Sequence, residues 1–182
     1  MKNRARALVK YAQAATKKIA ICGLAIVVFL LPAAGAHADS GGARVPPLPK
    51  YGQECAACHV AYPAGMLPAA SWQRMMGSLN KHYGTDASLD EASVREISTW
   101  LSANAGTYRK VREEPPQDRI SRSAWFVREH RGISTEVWTH KAVKSAANCA
   151  ACHTQAATGD YSERNIAYPA GLDEKYRRGW KD

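Results

Sequence analysis

The sequence predicts a small, mainly α protein built in two halves behind an export segment. Three observations support this. Apolar residues recur at helical spacing over 72–83 and again over 94–101. Glu113-Glu114-Pro115-Pro116 breaks any helix and marks a joint between halves. One pentapeptide, Cys-Ala-Ala-Cys-His, occurs once in each half, at 55–59 and at 149–153. The boundaries are 1–38 for the export segment, 39–112 for the first half and 113–182 for the second.

The 182-residue chain carries 25 Lys and Arg against 16 Asp and Glu, a net +9 that would ordinarily point to nucleic acid or an anionic surface. Six of those basic residues (Lys2, Arg4, Arg6, Lys10, Lys17, Lys18) precede residue 20, where no acid occurs, and lead into the apolar run from Ile19 to Leu31. With the small-residue exit Ala36-His37-Ala38, this is the layout of a secretory signal cleaved after Ala38. The run is shorter than the roughly 20 apolar residues a bilayer span needs, so no stable membrane insertion is expected after cleavage. Removing 38 residues leaves 144 with 19 basic and 16 acidic side chains, or +3, and nucleic acid is no longer a natural partner.

Export makes the cysteines informative, because an oxidising compartment normally pairs them. Cys22 leaves with the signal, and the other four are Cys55, Cys58, Cys149 and Cys152, each pair followed at once by a histidine, His59 or His153. Cys-x-x-Cys-His is the covalent attachment motif of c-type haem. Two sulfurs at that spacing reach the two vinyl-derived carbons of one porphyrin, and the next residue is held beneath the iron as its ligand. Zinc would accept both Cys pairs but does not require a histidine after each. A duplicated redox dithiol would need a strand–helix setting, and tight Cys-x-x-Cys disulfides make poor staples. Two covalent haem c groups are the expected cofactors.

The elements follow in order. The first motif starts a haem-attachment helix, and a loop follows it. After Ser71 as N-cap, Trp72, Met75, Met76, Leu79, His82 and Tyr83 fall on one helix face. Ser88-Leu89-Asp90-Glu91 has the form of a capping box, Val94, Ile97, Trp100 and Leu101 follow at helical spacing, and Asn104 with Gly106 supplies a stop. This is the layout of a small cytochrome c-like domain, whose haem supplies much of the core that so short a chain could not build alone. The second half is smaller and less regular. Ser123 to His130 reads as a short helix with His130 one turn after Phe126 and Val127 and so able to share their buried face, while His140 lacks a periodic frame. The tail, Glu174 to Arg178 with Trp180, reads as a solvated extension or a lid over one haem edge.

The far-side ligands decide between electron transfer and ligand chemistry, since an iron closed on both faces passes electrons and an open one binds oxygen or peroxide. With His37 removed and His59 and His153 already used, His82, His130 and His140 remain for two positions. No methionine follows Met76, so a local methionine ligand for the second haem is excluded. For the first haem His82 is favoured over Met75 or Met76. For the second His130 is favoured, with His140 as the alternative and otherwise an exposed or supporting residue. Trp72, Trp100, Trp125 and Trp138 are candidates to pack around the porphyrins, although ordinary core packing explains them equally well.

CAACHVAYPAGMLPAASW from Cys55 to Trp72, then KHYGTDASLD, WFVREHRGI and NCAACHTQAATGDY, is similar to the bacterial dihaem cytochrome c family, over about residues 50 to 170. The resemblance implies a periplasmic electron carrier with two bis-histidine haems, the first in a cytochrome c-like domain. Carried over, His82 matches the histidine of the family's His-aromatic-Gly motif and His130 that of its W-F-x-x-x-H motif. By analogy, another c-type cytochrome or a membrane b-type cytochrome is the expected redox partner. The expected function is therefore one-electron exchange at low potential without enzymatic turnover. The rivals are a small dihaem peroxidase-like enzyme and a haem-based gas sensor, each of which needs one labile or open iron.

Overall fold

The computed structural model describes residues 45–180, and the predicted export segment with its cleavage point lies outside them. Helix α1, Pro49–Cys55, opens on a proline whose missing N–H costs nothing at that position and ends on the first cysteine of the first motif. Helix α2, Ala69–Met76, follows Pro68, and α3, Glu91–Ala103, is the longest among the described residues. In the second half, α4 spans Ala124–Glu129 and α5 spans Thr135–Thr139. Beyond α5 the chain is held in short 3₁₀ turns at Cys149–Ala151, Ala156–Thr158, Glu163–Asn165 and Glu174–Trp180. Among the described residues there is no strand, only isolated bridges pairing His82 with Thr85 and His153 with Ile166. No described helix is long and apolar enough to cross a membrane.

Helix α2 packs along α3, and α1 lies against α3 as well. Between them Tyr51, Ala64, Leu67, Trp72, Met76, Ile97 and Leu101 form the first core cluster. The Trp72 indole N–H donates to the Ala64 carbonyl at 2.7 Å, which pins the loop after the first motif onto α2. A second cluster, Val137, Val143 and Leu172, gathers Trp138, Tyr168, Tyr176 and Trp180 around it. These interiors are small for the length of chain they serve, as expected where a large apolar group completes the core.

Several elements depart from the sequence pattern. The stripe over 72–83 is not one helix: α2 stops at Met76, Gly77 caps it, and a 3₁₀ turn at Leu79–Lys81 carries the chain on to His82. Ser71 is not the N-cap but a fully buried residue inside α2, because Pro68 already starts the helix. Asp90, rather than Ser88, caps α3, accepting from the Ala92 and Ser93 N–H groups at 3.0 Å each. The Ser88 N–H instead donates to Asp86, so the capping box gives way to an Asx turn followed by an Asp cap. Asn104 does end α3, with its N–H bonded back to Trp100. Val127, expected beside Phe126 on the buried face, points outward at 58% exposure. The tail is packed rather than solvated. Tyr176 and Trp180 cover the second cluster, and Gly179 meets Gly132 so closely that a Cβ on either would strike the other's backbone.

Candidate haem sites

The first motif does not start a helix, as the sequence suggested, but ends one: α1 delivers Cys55 at its end, and the turn that follows presents Cys58 and His59. The His59 Nδ1–H donates to the Val60 carbonyl at 2.7 Å, which leaves the Nε2 lone pair free to bind a metal. Tyr62 stacks on its ring at 4.9 Å. Facing it, the His82 ring lies 6.1 Å away with the two planes 21° apart.

The turn after α2 aims His82 at this position. The Ala87 N–H closes on Leu79 and the Thr85 N–H on His82, with Tyr83 and Gly84 at positive φ between them. The Tyr83 hydroxyl is shared between the carbonyls of Gln117 and Asp118 at 3.1 Å each, and the Arg119 guanidinium sits 4.0 Å over its ring. Arg74 then bridges Glu114 and Asp118 at 2.6 Å each. The segment read from the sequence as a mere joint is thus a clasp over the His82 turn. Its only sequence signal was charge complementarity with Arg74, which cannot be located without the fold. Met76 is buried in the first core, and Met75 lies beside His82 next to the clasp.

At the second motif, the 3₁₀ turn Cys149–Ala151 brings the His153 N–H back onto the Cys149 carbonyl at 2.8 Å. His130 caps the end of α4, whose start Ser123 caps by accepting from the Phe126 N–H. The His130 Nδ1–H donates to the Phe126 carbonyl at 2.8 Å, and its ring stacks on Phe126 at 4.0 Å. His130 and His153 have ring centroids 6.2 Å apart and planes crossed at 71°. Trp138 closes on the edge of His130, and Tyr161 lies beside His153.

His140 stands elsewhere. Its Nδ1 accepts from the Ala142 N–H at 3.1 Å, its Nε2 lies 3.9 Å from Asp173, and Tyr176 meets its ring edge-on. The side chain is only 17% exposed, so the expectation of an exposed residue is corrected: α5 ends on it and the tail covers it. Among the tryptophans, Trp138 and Trp125 flank Phe126 near the second pair, while Trp72 lies in the first core and Trp100 packs on Tyr51.

Burial holds His82, His130 and His153 below the ordinary imidazole pKa, with His59 lowering His82 further and His130 lowering His153 further. At neutral pH these rings are therefore uncharged, as a metal ligand must be. Burial pushes the Cys55, Cys149 and Cys152 thiols up to about 11. The Arg74 guanidinium holds the Asp118 carboxyl below its usual range.

The residues fit two six-coordinate haems. Two metal–nitrogen bonds of about 2 Å, with about 1 Å from each nitrogen to its ring centre, place two axial imidazoles about 6 Å apart. Both observed pairs have that spacing. Among the described residues, no three His, Cys, Asp or Glu side chains converge to hold a bare ion. A metal at either pair would need equatorial donors from elsewhere, which is what a porphyrin supplies. None of the four motif cysteines is paired in a disulfide, and the buried Nδ1 atoms of His82 and His153 lack protein partners.

A helical frame that sets a second imidazole opposite each Cys-x-x-Cys-His histidine is that of a c-type cytochrome with two haems. Residues 51–161 match the family model for dihaem cytochrome c, and the chain belongs to that family. Among solved structures, it is similar to the dihaem cytochrome type c of Shewanella baltica OS155, at 31% identity over 69% of this chain and 96% of that one, with a TM-score of 0.60. A dihaem cytochrome c from Rhodobacter sphaeroides matches at 45% identity over 65% of this chain and all of that one, TM-score 0.57. A further structure described as DHC purified from the same organism matches at 46% identity over 64% of this chain and 99% of that one, TM-score 0.55. No curated protein matches. The protein is accordingly a mainly α, haem-binding cytochrome with two covalently bound haem c groups and their iron.

Proposed function

We propose that the protein is a periplasmic one-electron carrier whose two haems are both bis-histidine ligated, by His59 with His82 and by His130 with His153. The two facing imidazole pairs carry this reading. When bound, each haem supplies an iron that cycles between ferric and ferrous states.

The chain's own contribution is to bind, orient and shield. Cys55, Cys58, Cys149 and Cys152 form the thioethers. Val60 and Phe126 carbonyls fix the tautomer and ring plane of one imidazole in each pair and make it a stronger donor. Stronger donation from two imidazoles stabilises the ferric state, which supports low potentials. Held by His59 with His82 and by His130 with His153, neither iron would offer a site to peroxide, which supports a carrier over an enzyme. The partner is another redox protein, by chemistry a second c-type cytochrome or a membrane b-type cytochrome. The signal-like residues 1–38 support export.

Expression with residues 1–38 in a host that matures c-type cytochromes tests this. Haemochrome quantitation should give two haems per chain, low-spin in both redox states and inert to carbon monoxide. A high-spin fraction, or one haem that readily binds carbon monoxide, would replace the carrier with the peroxidase-like or gas-sensing alternative.

A further inference from the structure

Tyr62 belongs to neither ligand set, yet it touches both attachment regions. Its ring stacks on His59 with centroids 4.9 Å apart and planes 23° from parallel. Its hydroxyl donates to the Ala147 carbonyl at 2.5 Å, across 85 positions of sequence. Ala147 lies two residues before Cys149. Among the described residues this is the one hydrogen bond joining the segment after the first motif to the loop that enters the second.

The bridge is held in place. The Tyr62 carbonyl accepts from the Tyr51 hydroxyl at 2.7 Å, and Tyr51 is buried within α1 one turn before Cys55. On the other side Pro63 approaches Gly159. A tyrosine serving only as filler would bury its ring and turn its hydroxyl to water. Here the ring is spent on an iron-binding imidazole and the hydroxyl on the backbone leading to the other thioether.

We propose that Tyr62 is the electronic link between the two haem sites, coupling the His59 imidazole to Cys149 through its ring, its hydroxyl hydrogen bond and two peptide units. One iron is oxidised and the other reduced by the same electron, and Tyr62 keeps both its electron and its proton. It contributes orbital overlap alone. The link rests on His59 ligation in the carrier reading.

The test uses the full holoprotein with both haems. One electron is injected by pulse radiolysis into the fully ferric protein, and its redistribution between the haems is followed in wild type, Tyr62→Phe and Tyr62→Leu. Tyr62→Phe keeps the ring and loses the hydrogen bond, so redistribution should slow several-fold at unchanged midpoint potentials. Tyr62→Leu should slow it further. Wild-type rates in Tyr62→Phe would overturn the proposal, since electrons would then cross directly between porphyrin edges. Should Tyr62→Leu fail to load haem, Tyr62→Phe decides alone. Carbon monoxide binding by the wild-type protein would instead overturn the closed-iron reading, and it is seen before any electron is injected.

Discussion

Replacing His130 and His140 in turn separates the residue proposed to hold the second iron from the residue packed against the tail. His130 faces His153 at 6.2 Å, whereas His140 accepts the Ala142 N–H and packs against Tyr176. His130→Ala should open one axial position per chain, so carbon monoxide binds half of the total haem while both haems stay covalently attached. His140→Ala should bind none. It leaves the Ala142 N–H without its acceptor, a loss of about 1 kcal/mol net, and removes a mostly buried ring, which raises the total to about 2 kcal/mol. For a chain of this size that lowers the melting temperature by roughly 4–8 °C. His130→Ala also destabilises, because it breaks the bond to the Phe126 carbonyl and the stack on Phe126. Melting alone therefore does not discriminate, and the assay is carbon monoxide difference spectroscopy normalised to haemochrome content. Carbon monoxide binding in His140→Ala with a closed iron in His130→Ala would refute the reasoning.

Three further outcomes are expected. The first imidazole pair lies 21° from parallel and the second 71°; parallel rings donate into one iron π-orbital and crossed rings into both, so ferric protein should show two distinct low-spin EPR signals, with the more anisotropic one altered in Phe126→Leu. A single signal accounting for both haems would sink that assignment. Trp72→Phe removes the donor to the buried Ala64 carbonyl and should cost about 1–3 kcal/mol, read as a lower denaturant midpoint with both haems retained; an unchanged midpoint would contradict it. Arg74 holds Asp118 below the ordinary carboxylate pKa of 3.8, so the clasp contributes fully above that value and is lost as pH falls through the depressed folded value. Carbon monoxide should gain access to the first iron only in that acid range, and Asp118→Asn should remove the acid step; identical acid profiles for the two proteins would show that the clasp does not hold His82.

Much of the site is legible in the sequence. Cys-Ala-Ala-Cys-His is a local motif, since five consecutive residues carry both sulfurs and the first ligand, and its chemistry depends on spacing alone. The helices with strong local signals could be read the same way, α3 from its apolar stripe and α4 from the short segment between Ser123 and His130, as could the absence of an α-helix across Pro115-Pro116. The pattern over 72–83 misled because Leu79, His82 and Tyr83 are spaced as a helix would space them while the chain turns at Gly77. Their positions are decided by a clasp from residues 114–119 that lies far away in sequence. Ser88 read as the cap of α3, whereas the Asp90 carboxylate is the group that reaches two N–H groups at once.

The sequence by itself determined two haem-attachment motifs, a mainly α frame and a short set of candidate ligands. Only the tertiary structure decided that His130 faces His153 while His140 is partly covered by the tail, that one imidazole pair is near parallel and the other crossed, and that Tyr62 reaches Ala147. Attachment depends on neighbours in the chain, which the sequence states outright. Pairing across a haem, ring orientation and the bridge between sites depend on contacts between residues 23 to 85 positions apart, which exist only once the chain has packed.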